Sequence, residues 1–316
     1  MPKSLSTLLT DENLREAGIS QNDLSLISGL SHTYLTSLRS GKIQRPGRDK
    51  IIPVSIALNL SFEETNHLLA EHGMLPLQEA DIKLFVAVSK KRMIRGHQPL
   101  FDNINFDLLL ISLESLDGEL VVVSNKPTAV LRDPAQITFM DKRDGITDPT
   151  YLRFREELAR ERRGILDERL EKFKMSYLLC HHCLEEYLSE AKKDEEEYAY
   201  VQRHVETLVE YLRHPNFRLS LTTQCPALLF EIKTLPGSAE SEKHYKVFYI
   251  GHINRKHGTP EADGSHCRPY ERLYGFATDS LKIATHFKNE YDSLMEKCLL
   301  KGTSGDDAAR YIKGLL

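Results

Sequence analysis

The sequence lacks most of the features that would place it in a class at once. It has no apolar run of about 18 residues, so no membrane-spanning helix is expected. Its first residues, MPKSLSTLLTDE, lack the basic-then-apolar layout of a secretory signal. Cysteine is sparse: the five residues Cys180, Cys183, Cys225, Cys267 and Cys298 are an odd number in a chain of 316. That argues against a disulfide scaffold and for a reducing, cytoplasmic setting. Neither sign of charge dominates, the net charge being −4, so any affinity for a polyanion must come from a local basic patch. No GxxxxGK[ST] phosphate loop, nucleophile elbow or internal repeat occurs. What remains is ample core-forming material, 41% hydrophobic residues, in a length that suits two or more domains.

The most informative segment is QNDLSLISGLSHTYLTSLRS, residues 21 to 40. Gln21 to Ser28 reads as a short amphipathic helix with Leu24 and Ile27 on its apolar side. Gly29 stands where the chain must turn sharply, and Ser31 is a good N-cap for a second helix. Leu35 and Leu38, three apart, face inward, which leaves His32, Thr33, Thr36, Ser37 and Ser40 on the outer face. Ser25 is small enough for the two helices to approach closely. From the end of the segment runs a basic patch, Arg39, Lys42, Arg45, Arg48 and Lys50, against the single acid Asp49.

Gln21, Ser25, Gly29, Leu35 and Leu38 resemble, in type and spacing, the helix-turn-helix of the phage-repressor (Xre/Cro-like) family. Arg39 replaces that family's usual acid and makes the outer face more basic. The resemblance covers the first ~75 residues, through a capping box at Ser61–Glu64 and a helix stop at Gly73. It implies a double-stranded DNA operator as partner. His32, Thr33, Thr36, Ser37 and Ser40 would face base edges, and Gln21, Asn22, Lys42, Arg45 and Arg48 would contact phosphates.

The expected fold is multidomain: an all-α, lambda-repressor-like helix-turn-helix domain over 1–78, a helical linker over 79–99, and a larger α+β domain over 100–316. A first helix is expected over 4–17 and another over 50–59, with Pro53 near its first turn. The linker helix is expected over 79–95, ending in a solvated cluster of Lys90, Lys91, Arg92 and Arg95. Gly96–Pro99 reads as a boundary. FDLLLISLESLDGELVVVSNKP reads as a β-hairpin around Asp117-Gly118. Residues 148–213 read as helices broken near Gly164 and near 190–197, with the acids Asp194–Glu197 on a solvated face or loop. RLSLTTQCPALLFEIKTL and HYKVFYIGHI read as strands, antiparallel in expectation, and 279–301 and 305–315 as helices, the former capped by Thr278 or Asp279.

Cys180-His-His-Cys183 has the spacing of half a zinc site, but YLLCHHCLEEYL reads as helix, no second CxxC exists, and the strand-then-helix setting of redox motifs is not evident. Core-packed cysteines are therefore expected, with no metal and no cofactor. His244-Tyr-Lys246 matches the first half of a phospholipase D signature, but Gly251 stands where the supporting Asp belongs. The segment 252–274 is rich in His, Arg and Tyr, and Arg255, His257, Arg268 and Arg272 are candidates for an anionic ligand.

Together these features predict a sequence-specific transcriptional regulator, not an enzyme, whose C-terminal part senses a small-molecule or protein effector. An antitoxin-like interaction module and an enzyme with a DNA-targeting head are the alternatives. A homodimer is expected, since one reading head covers only a half-site. Leu178, Leu179, Leu184, Leu188, Val205, Leu208 and Leu212 supply apolar stripes for a dimer contact or an internal core.

Overall fold

Hydroxyl caps cut the N-terminal sequence into short helices. The computed structural model describes residues 4–92, 94, 97–99, 103–237, 245–252 and 273–316. The stretch 4–17 is not one helix but two, α1 (Leu5–Leu8) and α2 (Asp11–Glu16), because Thr10 accepts the Asn13 amide and starts a new helix. α3 (Gln21–Ser28) begins in a capping box between Ser20 and Asp23, and α4 (His32–Arg39) begins where Ser31 accepts the Tyr34 amide. Between them Gly29 has φ +71°, a left-handed conformation that costs glycine nothing. In α5 (Arg48–Ala57), Pro53 lies in the second turn rather than the first. The carbonyl it deprives of an amide donor, four residues back, is that of the exposed Asp49.

α6 (Phe62–Glu71) follows the expected Ser61/Glu64 capping box. α7 (Ile82–Ser89) ends well short of residue 95; Lys90 and Lys91 stand exposed at its end, Arg92 does not, and Arg95 lies outside the described residues. Arg92 is 3% exposed, and burial pushes its guanidinium down to about 9.

The largest departure from the sequence reading follows. FDLLLISLES is helix α8 (Asn103–Glu114), not the first strand of a hairpin, and only the second run is a strand, β2 (Glu119–Ser124). An apolar run without periodicity suits a helix buried all round as well as a strand buried on both faces. Here Ile104, Leu108 and Ile111 join the core of the N-terminal helices. On the other side, Leu109, Leu110 and Leu113 pack with Phe248 and Ala277. The core of α1 to α7 also takes in Phe154, Leu158 and Ile165.

Residues 97–99 form an edge strand, β1 (His97–Pro99). After β2 come α9 (Pro134–Arg143) and α10 (Pro149–Leu170), the latter continuous through Gly164 where a break was expected. The next segment is not helical: KMSYLLC forms β3 (Met175–Cys180), which leads directly into α11 (His181–Ala191). The acid run opens α12 (Glu195–Tyr211), with Asp194 as its N-cap, where negative charge favours the positive end of the helix dipole.

β4 (Phe217–Thr222), β5 (Leu229–Thr234), β6 (Tyr245–His252) and β7 (Leu273–Thr278) precede α13 (Leu281–Glu296), whose N-cap position is Ser280 rather than Thr278 or Asp279. The helix expected through 301 gives way to β8 (Cys298–Thr303), and α14 (Asp306–Lys313) ends the chain's regular structure.

Among the described residues the strands form one eight-stranded sheet in the order β1-β7-β6-β5-β2-β3-β4-β8. It is mixed, not antiparallel throughout. β2, β3 and β4 are parallel neighbours, joined by α9–α10 and α11–α12, while the other pairings are antiparallel. Parallel strands covered on both faces carry nearly continuous apolar runs, which is why β3 reads as helix. Tyr177 and Leu179 pack with Leu184, Leu188, Val205, Leu208 and Leu212 on one face. Leu178 packs with Phe230 and Phe287 on the other. The apolar stripes of 178–212 are therefore internal core and are not available for a dimer contact. Among the described residues no helix is long and apolar enough to cross a membrane.

Candidate functional site

Leu35 and Leu38, 2% and 3% exposed, hold α4 in a core shared with Leu24, Ile27 and Leu30. The Ser25 hydroxyl donates to the Leu30 carbonyl at 2.5 Å, so a small residue here both permits and secures the close turn. On the opposite side of α4, His32, Thr33, Thr36 and Ser40 are exposed and Ser37 is half-buried. Ser40 itself is the C-cap rather than part of the helix.

These side chains join the first turn of α3. Gln21 Nε2 donates to Thr36 Oγ1 at 3.4 Å, and His32 Nε2 lies 3.3 Å from Asn22 Oδ1. Thr36 Oγ1 in turn donates to the His32 carbonyl at 2.8 Å. The start of α3 and the outer face of α4 thus form one polar surface of short side chains.

The five basic residues from Arg39, the last of α4, to Lys50 divide into two groups. Lys42 and Arg45 are exposed and make no ion pair among the described residues. The others have internal partners. Arg39 bonds both carboxylate oxygens of Asp11 at 2.7 and 2.9 Å, and Lys50 pairs with Asp49 at 2.9 Å. Arg48, assigned to phosphate in the sequence reading, is built into the fold. Its Nε donates to Asp81 at 2.9 Å, its Nη1 to the Leu75 carbonyl at 2.5 Å and its Nη2 to the Pro76 carbonyl at 2.8 Å. Asp81 lies 33 residues away in the chain, so no local pattern marks the pair.

In the C-terminal part, the candidate ligand residues Arg255, His257, Arg268 and Arg272 lie outside the described residues. Two groupings that the sequence reading missed are well defined. One is a buried ionic chain: Arg162 between Glu114 and Asp107, and Arg155 between Asp107 and Asp141. The other is a thiol cluster. Cys180 is not inside a helix; it ends β3 and occupies the N-cap of α11, and Cys183 lies on the first turn of that helix. The strand-then-helix setting is therefore present.

Cys225 follows β4, the neighbouring parallel strand, and the three Sγ atoms lie within 4.8 Å of one another. Cys183 and Cys225 are closest, at 3.4 Å, and the described cysteines form no disulfide. Cys180 and Cys183 are fully buried, whereas Cys225 is half-buried. The nearby His181 and His182 turn instead to Glu185, at 3.2 and 3.7 Å. A strand assignment for MSYLLC, paired in parallel with β4, would have brought Cys180 and Cys225 to the same end of the sheet.

No family model, curated protein or solved structure matches this chain.

Proposed function

We propose that this protein is a sequence-specific DNA-binding transcriptional regulator that acts in the cytoplasm. In this reading α3 and α4 are a helix-turn-helix reading head, and the sheet-bearing part responds to a signal. The observation that carries it is the outer face of α4: short hydrogen-bonding side chains stand exposed on a helix anchored from behind by Leu35 and Leu38. A helix in the major groove needs such a face, with hydroxyls for base edges and threonine methyls for the thymine methyl. Lys42 and Arg45, exposed just after α4, supply phosphate contacts. The first turn of α3, with Gln21 and Asn22, presents backbone amides to the same strand of phosphates. Arg48 and Arg39, already paired within the protein, act by shaping this surface.

One such head spans a short half-site, so the reading includes a homodimer, with its contact outside the buried 178–212 residues. The test is selection of duplexes from a randomised pool by the full-length chain. Wild type should enrich a defined motif, and the Thr33→Ala/Ser37→Ala double variant should enrich a more degenerate one at unchanged fold stability. If wild type enriches no motif, or the double variant enriches the same motif equally well, α4 does not read DNA.

A further inference from the structure

We propose that Cys180, Cys183 and Cys225 bind one Zn²⁺ ion through three thiolates. Two separate segments deliver these sulfurs: the β3–α11 junction, which carries Cys180 and Cys183, and the loop after β4, which carries Cys225. The sheet sets the positions of two of them, because Cys180 is in register with Thr222, three residues before Cys225. The helix start sets the third, since an N-cap side chain lies close to the third residue of its helix, here Cys180 and Cys183.

The separations fit the ion. With Zn–S bonds of about 2.3 Å in tetrahedral geometry, sulfurs lie about 3.8 Å apart. Here all three fall within 4.8 Å, and the closest pair is at 3.4 Å. Shifts of well under ~1 Å bring all three into bonding range of one centre.

Core packing alone explains buried cysteines, which behave as small apolar side chains. It does not explain why Cys225, half-buried in a loop, converges on the two buried thiols. The same partial exposure gives an ion a way in from solvent. The location is also one where ligands are found, beyond the carboxyl ends of neighbouring parallel strands.

The electrostatics agree. Three thiolates and a divalent ion leave one negative charge, and it would stand at the N-terminus of α11, an 11-residue helix whose dipole favours an anion. All-sulfur donors select a soft, thiophilic ion, and Zn²⁺ requires no redox partner. Binding is proton exchange: three S–H bonds lose their protons to solvent as three S–Zn bonds form. Three protein donors leave the fourth tetrahedral position to an exchangeable ligand, as in open rather than closed zinc sites.

The site stands independently of the DNA-binding reading and is tested without DNA. The full-length chain, reduced and stripped of metal, is titrated with Zn²⁺ against a chromophoric chelator, and with Co²⁺ as a spectroscopic probe. The expected result is one ion per chain, a thiolate-to-cobalt charge-transfer band, and protection of Cys180, Cys183 and Cys225 from alkylation. Cys225→Ser should lower Zn²⁺ affinity at least ~10-fold and weaken the band, whereas Cys298→Ser should change neither. Alkylation mapping on wild type carries the test if Cys180 or Cys183 variants do not fold. Absence of the charge-transfer band, or Zn²⁺ affinity unchanged in Cys225→Ser, overturns the proposal. So does a Cys183–Cys225 disulfide in the isolated protein with no Zn²⁺ uptake after its reduction.

Discussion

The guanidinium of Arg162 meets the carboxylate of Glu114 through two hydrogen bonds, of 2.6 and 3.0 Å, with both side chains enclosed in the protein. Its remaining nitrogen reaches Asp107 at 3.1 Å; Asp107 also contacts Arg155, which donates to Asp141 at 2.9 Å. The chain of charges ties α10 to α8 and α9. Removing one member strands its partner without a counter-charge. Arg162→Ala is expected to lower unfolding free energy by about 3–5 kcal/mol, measured by urea denaturation of the full chain. The apolar double replacement Arg162→Met/Glu114→Leu should cost less, because Glu114 leaves with its counter-charge and Asp107 keeps Arg155. Equal losses in the two variants would refute this account.

Two buried groups give stability opposite dependences on pH. Burial, reinforced by the neighbouring Glu114 and opposed by Arg162, pushes the Glu231 carboxyl from 4.5 up to about 8. The folded protein holds that proton more tightly than the unfolded chain. Its contribution is thus complete below pH 4.5 and is lost as pH rises through about 8. Glu231→Gln should match wild type near the acid end of that window and exceed it at the alkaline end. His204 acts in the other direction. Burial and then Arg132 hold its ring well below 6.5, and its nitrogens lie 3.0 Å from the Tyr187 hydroxyl and 3.0 Å from the Thr128 carbonyl. Its contribution is present above 6.5 and is lost as pH falls further. His204→Gln should flatten the loss of stability on acidification, and chemical denaturation across the pH range reads both effects.

Gly118 admits no side chain. Its φ is +121°, and a Cβ there would stand 2.0 Å from the Thr234 carbonyl oxygen, backbone that cannot move without disturbing β5. Gly118→Ala is expected to cost more than ~2 kcal/mol, from the strained conformation and the clash together. A change within about 0.5 kcal/mol, as at an ordinary surface site, would count against this account.

The basic residues after α4 should separate by role. If the reading head binds DNA, Lys42→Ala and Arg45→Ala should each reduce the slope of log K against log salt by roughly 0.9, on all sequences alike. Arg48→Ala should instead leave the slope unchanged and lower stability, since its guanidinium holds Asp81 and two backbone carbonyls. A reduced salt slope in Arg48→Ala would return that residue to the phosphate contacts.

Where structure is decided within a few residues, the sequence by itself determined it. Ser20, Ser31 and Ser61 start helices because a hydroxyl three residues before an amide satisfies it locally, and Gly29 turns the chain because it lacks a Cβ. β6 was legible as alternation within one strand, and β5 as a short β-rich run closed by Pro236. Tertiary structure alone decided whether apolar runs became helix or strand. FDLLLISLES and MSYLLC are both apolar runs, but the first lies between two cores and the second between two parallel strands. It alone decided, too, which charges and thiols meet. Arg48 with Asp81, Arg162 with Glu114 and Cys183 with Cys225 are 33, 48 and 42 residues apart. Their pairing depends on where the chain returns, and that is set by burial of the core rather than by any pattern near either partner.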